Sequence, residues 1–165
     1  MPPHPPREFQ GIRLLTNDWP ALVIDFPETR VPDGALEDCL SCVEELLKDA
    51  SDRKEKTYTI TDLTRMVEFP PTTQRKYASD WMTRSIGLQK AASLGGATVT
   101  RSTMLRAFIN AVHWVSPPAM PSIFVATRRE ALAAAVQAFD AARIWVRPEL
   151  RAALATQEPT ERRLR

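Results

Sequence analysis

Cysteine and glycine are scarce in this chain of 165 residues, with two of the first and five of the second. The two thiols, Cys39 and Cys42, sit three positions apart and cannot staple distant segments, which excludes a disulfide framework and suits a reducing compartment. Long apolar runs are missing too. Nothing approaches the roughly 18 uninterrupted apolar residues of a membrane span, and the opening MPPHPPREFQG lacks the apolar stretch of a secretory signal. A cytoplasmic protein with no membrane span is expected. Nor does one sign of charge dominate: 22 Lys and Arg face 20 Asp and Glu, an excess too small to attract nucleic acid or an anionic lipid surface by net charge. No nucleic-acid partner is expected.

Signatures of catalysis are absent as well. The chain has no Gly-x-Ser-x-Gly elbow, Walker loop, HExxH or GxGxxG, and GLQKAASLGG lacks the Gly-Lys-Ser/Thr ending that cradles phosphate. His113 lies beside Trp114 with no oriented nucleophile or acid in its motif, so a satisfied, partly exposed histidine is expected. A redox Cys-x-x-Cys needs its first thiol at a helix N-terminus, whereas Cys39 falls about two turns inside a helical pattern. A zinc site would need two further ligands, and His4 and His113 are the only imidazoles. Both cysteines are expected to be small buried packing residues. The expectation is therefore no catalytic residue, no metal and no cofactor.

A hydrophobic fraction of 44% with 25% charged residues is that of an ordinary globular protein, and the length fits one domain of roughly 100–150 residues with short tails. Residues 1–10 hold four prolines and read as a flexible tail; 11–150 read as the domain, and 151–165 as a charged C-terminal tail. Within the domain, ALVIDF (21–26), TYTITDL (57–63), GATVTR (96–101) and SIFVAT (122–127) are β-rich runs, each followed by a helical period. GIRLLTN (11–17) is a fifth candidate, joined to 21–26 by a turn at Asn17 and Asp18. The near-continuous apolar character of 21–24 and 123–126 suits strands covered on both faces, while the alternation of TYTITDL places it near an edge or a polar site.

Helix signals fill the gaps. Pro32 and Asp33 open a helix with Leu36, Leu40, Val43 and Leu47 on one face. Another follows Pro70 and Pro71, with Thr72 or Thr73 as cap, and runs over 72–92. Ser102 or Thr103 caps a third, ended by Pro117 and Pro118, and Thr127 caps a fourth whose alanines let it sit close to a sheet. Strand alternating with helix predicts an α/β domain with a mainly parallel sheet of four or five strands and flanking helices.

That order of elements, from the opening hairpin through QRKYASDW, LRAFINAVHW and RREALAAA, resembles STAS-like domains related to the anti-sigma factor antagonists. More particularly it is similar to diverged bacterial STAS/SEC14-type small proteins, in which a buried Trp closes the third helix, here Trp114, before a proline-led turn, here Pro121 to Ala131. The resemblance implies a single STAS-like domain acting as a non-catalytic protein-interaction module of a bacterial signalling system. Its partner would be a regulator, kinase or switch protein, and a homodimer is compatible. The family's Asp-Ser-Ser-Gly phosphorylation segment is replaced here by TDLTRMVEFPPTTQ, which leaves Thr72 and Thr73 as candidate phospho-acceptors at a helix start.

Family partners meet the start of the helix after the central strand, here Thr64 to Arg75. Arg65, Met66, Phe69 and Arg75 are the candidate partner-binding residues, with the large apolar ones either folded back or left for a partner. The alternative function is a small-ligand or lipid-binding module. Its pocket would lie between helix and sheet, or beyond the strand carboxyl ends, where ligands of open parallel sheets collect. The polar residues due at those ends include Asp25, Asp62, Thr64, Thr100, Arg101, Ser102, Thr127 and Arg128. Of these, Asp62, Thr64, Arg101, Ser102, Thr127 and Arg128 are the candidate ligand set, although turn and cap chemistry also explains such residues.

Overall fold

The computed structural model describes residues 4–155. The first three strands, β1 (Arg7–Phe9), β2 (Ile12–Leu15) and β3 (Ala21–Asp25), form an antiparallel meander. Gly11, at φ 103, and Gln10, at φ 47, make the first turn in a region where glycine carries no steric cost. From β3 onward the strands run parallel: β4 (Thr57–Asp62), β5 (Ser93–Val99) and β6 (Ser122–Val125) follow in chain order, giving one sheet ordered β1-β2-β3-β4-β5-β6. Each parallel step requires a crossover, and helices supply them. These are α1 (Asp33–Asp52), then α2 (Thr72–Arg84) with α3 (Ile86–Ala92), and α4 (Thr103–Val115); α5 (Arg128–Ala141) and α6 (Pro148–Ala155) follow the last strand.

Two cores result, one on each face of the sheet. The apolar stripe of α1, including Leu36, Cys39, Leu40, Val43 and Leu47, packs on Ile12, Leu14, Leu22 and Ile24, with Trp81 from α2 closing the layer. On the opposite face Ala131, Ala135 and Phe139 of α5 meet Ala21, Val23, Tyr58, Ile60, Ala97 and Val99. Ala131 and Ala135 are fully buried, so the helix approaches the strands with little side chain between. Every residue of β3 is buried because helices cover both of its faces.

Several expectations need correction. The sheet has six strands, because Arg7–Phe9 pairs with β2 inside the stretch expected to be a flexible tail. Thr16 Oγ1 donates to the His4 carbonyl (2.6 Å), His4 meets Asp49 (2.9 Å), and Arg7 donates to the Cys42 sulfur (3.3 Å), so the described part of residues 1–10 is tied to the body. Residues 151–155 of the expected C-terminal tail lie in α6; the remainder falls outside the described residues. β4 is interior, not near an edge, and the edge on that side is β6, which is only half covered. The helix expected over 72–92 is interrupted at Ser85, whose hydroxyl donates to the Trp81 carbonyl (2.7 Å). The N-cap of α2 is Pro71, with no side-chain cap, so Thr72 and Thr73 are its exposed first residues. Trp114 is 88% exposed rather than buried, because α4 turns a different face to the sheet.

Candidate functional site

Helix α4 carries a wide apolar face, with Thr103, Arg106 and Asn110 on its polar side, yet Leu105 is its one buried residue. An apolar face of that width normally packs into a core. Here its inner face, Phe108, Ile109, Val112 and His113, looks across a gap of about 290 Å³ towards the sheet and α2. Leu40 and Val43 of α1, with Ala78, Trp81 and Met82 of α2, form the wall. The floor is different in kind. Thr59 and Thr61 of β4 and Thr98 of β5 face the space, Thr61 and Thr98 as register neighbours. The alternation of TYTITD thus has a cause other than an edge: Tyr58, Ile60 and Asp62 are buried, and the intervening Thr59 and Thr61 line a cavity.

A second chamber of about 180 Å³ shares the wall formed by Thr59, Thr61, Thr98, Trp81, Met82 and His113. It extends towards Gln89, Ser93 and Ser122 and is bounded by Gly95, Gly96 and Pro121. Close backbone approach shapes that end: a Cβ on Gly95 would lie 2.7 Å from the Pro121 carbonyl oxygen, and one on Gly96 would lie 2.8 Å from that of Thr59. Burial pushes the His113 pKa down, which favours the neutral ring. The half-buried ring lies 6.5 Å from that of Phe124, and among the described residues it has no hydrogen-bond partner.

The candidate partner-binding residues gather at the mouth of the large chamber. Phe69 is 44% exposed and meets Phe108 edge-on at 5.3 Å, while the Arg75 guanidinium lies 5.3 Å from the same ring and donates to Thr72 Oγ1 (2.7 Å). Met66 is half-buried against the chamber and Val67 points outward. Phe69 is therefore neither wholly folded back nor wholly free. Arg65 belongs to a different group, described next.

At the carboxyl ends of β3 and β4, Asp25 and Asp62 are buried side by side in register. Arg13 and Arg65 (3.1 Å) pair with Asp25, and Arg128 bridges the two carboxylates, at 3.2 Å from Asp25 and 2.7 Å from Asp62. The second Asp62 oxygen accepts from the backbone N–H (3.0 Å) and hydroxyl (2.6 Å) of Thr64. Burial raises the Asp25 pKa, but hydrogen bonds from Arg13 and Arg65 and the charge of Arg128 outweigh it and hold the carboxyl below its ordinary value. Of the candidate ligand set, the fold thus unites Asp62, Thr64 and Arg128 in a closed ion network. Ser102 and Thr127 instead cap α4 and α5, accepting from Leu105 N–H (3.1 Å) and Glu130 N–H (3.2 Å), and Arg101 is exposed. The Ser102 and Thr127 hydroxyls are thus engaged with the chain itself.

Cys39 and Cys42 are free thiols buried in the α1 layer. Burial pushes the Cys39 pKa up to about 12, with Cys42 adding to the shift, so it is a thiol and not a thiolate at neutral pH. Replacing both by alanine should leave binding in the cavity intact and lower the unfolding free energy by about 1–3 kcal/mol. A urea titration run beside a ligand titration measures both; lost binding by a folded double variant would give the pair another role. Among the described residues, no group of three His, Cys, Asp or Glu side chains is placed to hold a metal, and no helix is long and apolar enough to cross a membrane.

No family model, curated protein or solved structure matches the chain. Its class is that of an α/β domain built on one six-stranded, mostly parallel sheet.

Proposed function

We propose that this chain is a non-catalytic binding module that holds a small apolar molecule between α4 and the sheet. The observation that carries the reading is the unfilled space under α4: Phe108, Ile109 and Val112 face a cavity of about 290 Å³ instead of packed side chains. An engineered apolar cavity of about 150 Å³ is enough to admit benzene. This one suits a molecule of roughly twice that size, and its mostly apolar wall with a few polar groups is the usual make-up of ligand sites. The STAS-like order of elements is compatible with this use.

The test is binding of the neutral fluorophore N-phenyl-1-naphthylamine, followed by its emission, and mass spectrometry of whatever small molecule the purified protein releases on denaturation. One fluorophore per chain is expected, and Ile109→Trp, which fills the cavity, should abolish the binding while the domain stays folded. Unchanged binding by that variant, or none by the native chain, would remove the cavity from consideration.

A second reading keeps the chain as a protein-interaction module of a bacterial signalling system, with a regulator, kinase or switch protein as partner. Met104, Trp114 (88% exposed) and Val115 (85% exposed) on the outer side of α4 favour it, since grouped exposed apolar side chains mark interaction surfaces. Thr72 and Thr73, both exposed at the start of α2, are then its candidate phospho-acceptors.

A further inference from the structure

We infer that the cavity's ligand is a neutral amphiphile, an apolar chain or fused ring bearing a hydroxyl or carbonyl group, which lies on the hydroxyls of Thr59, Thr61 and Thr98 and reaches towards His113. The inference rests on the cavity being a ligand site and specifies its chemistry.

A sheet face beneath an apolar helix is ordinarily apolar itself, and the opposite face of the same strands obeys that rule with Tyr58, Ile60, Ala97 and Val99. The cavity face breaks it at three neighbouring positions, Thr59, Thr61 and Thr98. Threonine fits a strand as well as valine does, so strand geometry does not account for the hydroxyls. Their partners within the fold do not account for them either: among the described residues none of the three hydroxyls makes a hydrogen bond. At the start of the same two strands, by contrast, Thr57 donates to the Ala92 carbonyl (3.0 Å) and Ser93 to that of Gly95 (3.2 Å). Three donors thus stand unused in one row, with the unpartnered His113 ring on the α4 side of the same space.

Their position sets the ligand's orientation. The row belongs to the wall common to both chambers. An apolar body filling the large chamber therefore brings its end to the threonines, and the more polar chamber of about 180 Å³ lies beyond. Charge is what the site cannot accept. Among the described residues, Arg75 is the one Asp, Glu, Lys or Arg side chain lining either chamber, and it is occupied at the mouth by Phe108 and Thr72. A carboxylate seated on the threonines would be desolvated with no cation facing it, whereas an uncharged hydroxyl or carbonyl needs only the hydrogen bonds these side chains can make.

Displacement of N-phenyl-1-naphthylamine by 1-decanol and by decanoate tests this on the native chain and on a Thr59→Val/Thr61→Val/Thr98→Val variant. Thr98→Val alone serves as the gentler change, with thermal unfolding measured for each. 1-Decanol should displace the fluorophore at least tenfold better than decanoate does. The triple variant should lose about tenfold in affinity for 1-decanol relative to its own affinity for the fluorophore, the scale expected from one to two hydrogen bonds. Equal displacement by decanoate, or full 1-decanol affinity in a folded triple or Thr98→Val variant, would overturn the neutral-amphiphile assignment while leaving the cavity as a site. Failure of the native chain to bind the fluorophore would overturn both.

Discussion

Phe139→Ala is expected to lower the unfolding free energy by about 3–5 kcal/mol, whereas Phe108→Ala should lower it by only about 1–2 kcal/mol. The two phenylalanines sit on helices that cover opposite faces of one sheet. Phe139 on α5 is fully buried, with the Tyr58 ring edge-on at 6.4 Å, and deleting its ring leaves a void among Ala21, Ile60 and Val99 that the fully buried strands cannot close. Phe108 on α4 already faces open space. Its deletion removes the edge contact with Phe69 and the Arg75 stack, each worth about 0.5–1.5 kcal/mol. Urea titrations of the two variants give the comparison directly, and for a chain of this size the Phe139 loss corresponds to roughly 6–20 °C in melting temperature. Amide hydrogen exchange should follow the same order, fast in α4 and slow in α1 and α5, because opening a helix that buries little apolar area costs less. Equal losses for the two substitutions would mean that α4 is packed as firmly as α5, which leaves no room for a ligand.

The elements whose signal is local were legible in the sequence. ALVID has apolar residues at every interior position because both sheet faces are covered there, and the four-three-four spacing of Leu36, Leu40, Val43 and Leu47 follows directly from one buried helical face. The Ser102 and Thr127 caps were equally local. What failed depended on which element lies over which. TYTITD alternates like an edge strand, and period alone cannot distinguish solvent from a cavity on the polar side. SIFV has the composition of a central strand but ends the sheet, since no seventh strand follows it among the described residues. REF paired with β2 despite the prolines before it, because Arg7 and His4 found partners on α1 that lie far away in sequence.

The cavity does not lie where the candidate ligand residues sit. A pocket between helix and sheet was one of two positions considered, but the residues singled out were those at the strand carboxyl ends. Asp62, Thr64 and Arg128 do meet there, and they satisfy one another. The cavity had a signal that went unused. LRAFINAVHWV carries a wide apolar face, Leu105, Phe108, Ile109 and Val112, and Thr59, Thr61 and Thr98 present hydroxyls opposite to it. The two patterns together describe an apolar helix over a hydroxyl floor, a combination that a packed core has no use for.

Arg128→Ala should destabilise the domain by about 2 kcal/mol at neutral pH, and Arg128→Lys should recover about half of the loss. Arg128 joins the two buried carboxylates; without it Asp25 keeps Arg13 and Arg65, but the Asp62 oxygen that it held has no other partner among the described residues. Removing one member of a fully buried ion pair costs about 3–5 kcal/mol. The smaller figure applies because the Arg128 side chain is itself 37% exposed, so water screens the pair and can reach the orphaned oxygen. Lysine restores the charge but not the fork that spans two carboxylates. The acid dependence follows from Asp25, whose folded pKa lies below the ordinary 3.8. A depressed carboxyl contributes stability that is complete above the unfolded value and is lost as pH falls through the folded one. In the native chain that loss should therefore fall below pH 3.8. In Arg128→Ala one of the cations that lowers the Asp25 pKa is gone, so the acid-dependent loss should be smaller and should be complete at a higher pH. Melting temperatures taken from neutral pH down through this range measure both effects. An Arg128→Ala variant as stable as the native chain, with the same acid profile, would mean that the arginine is a solvated surface charge and not the bridge between the two strands.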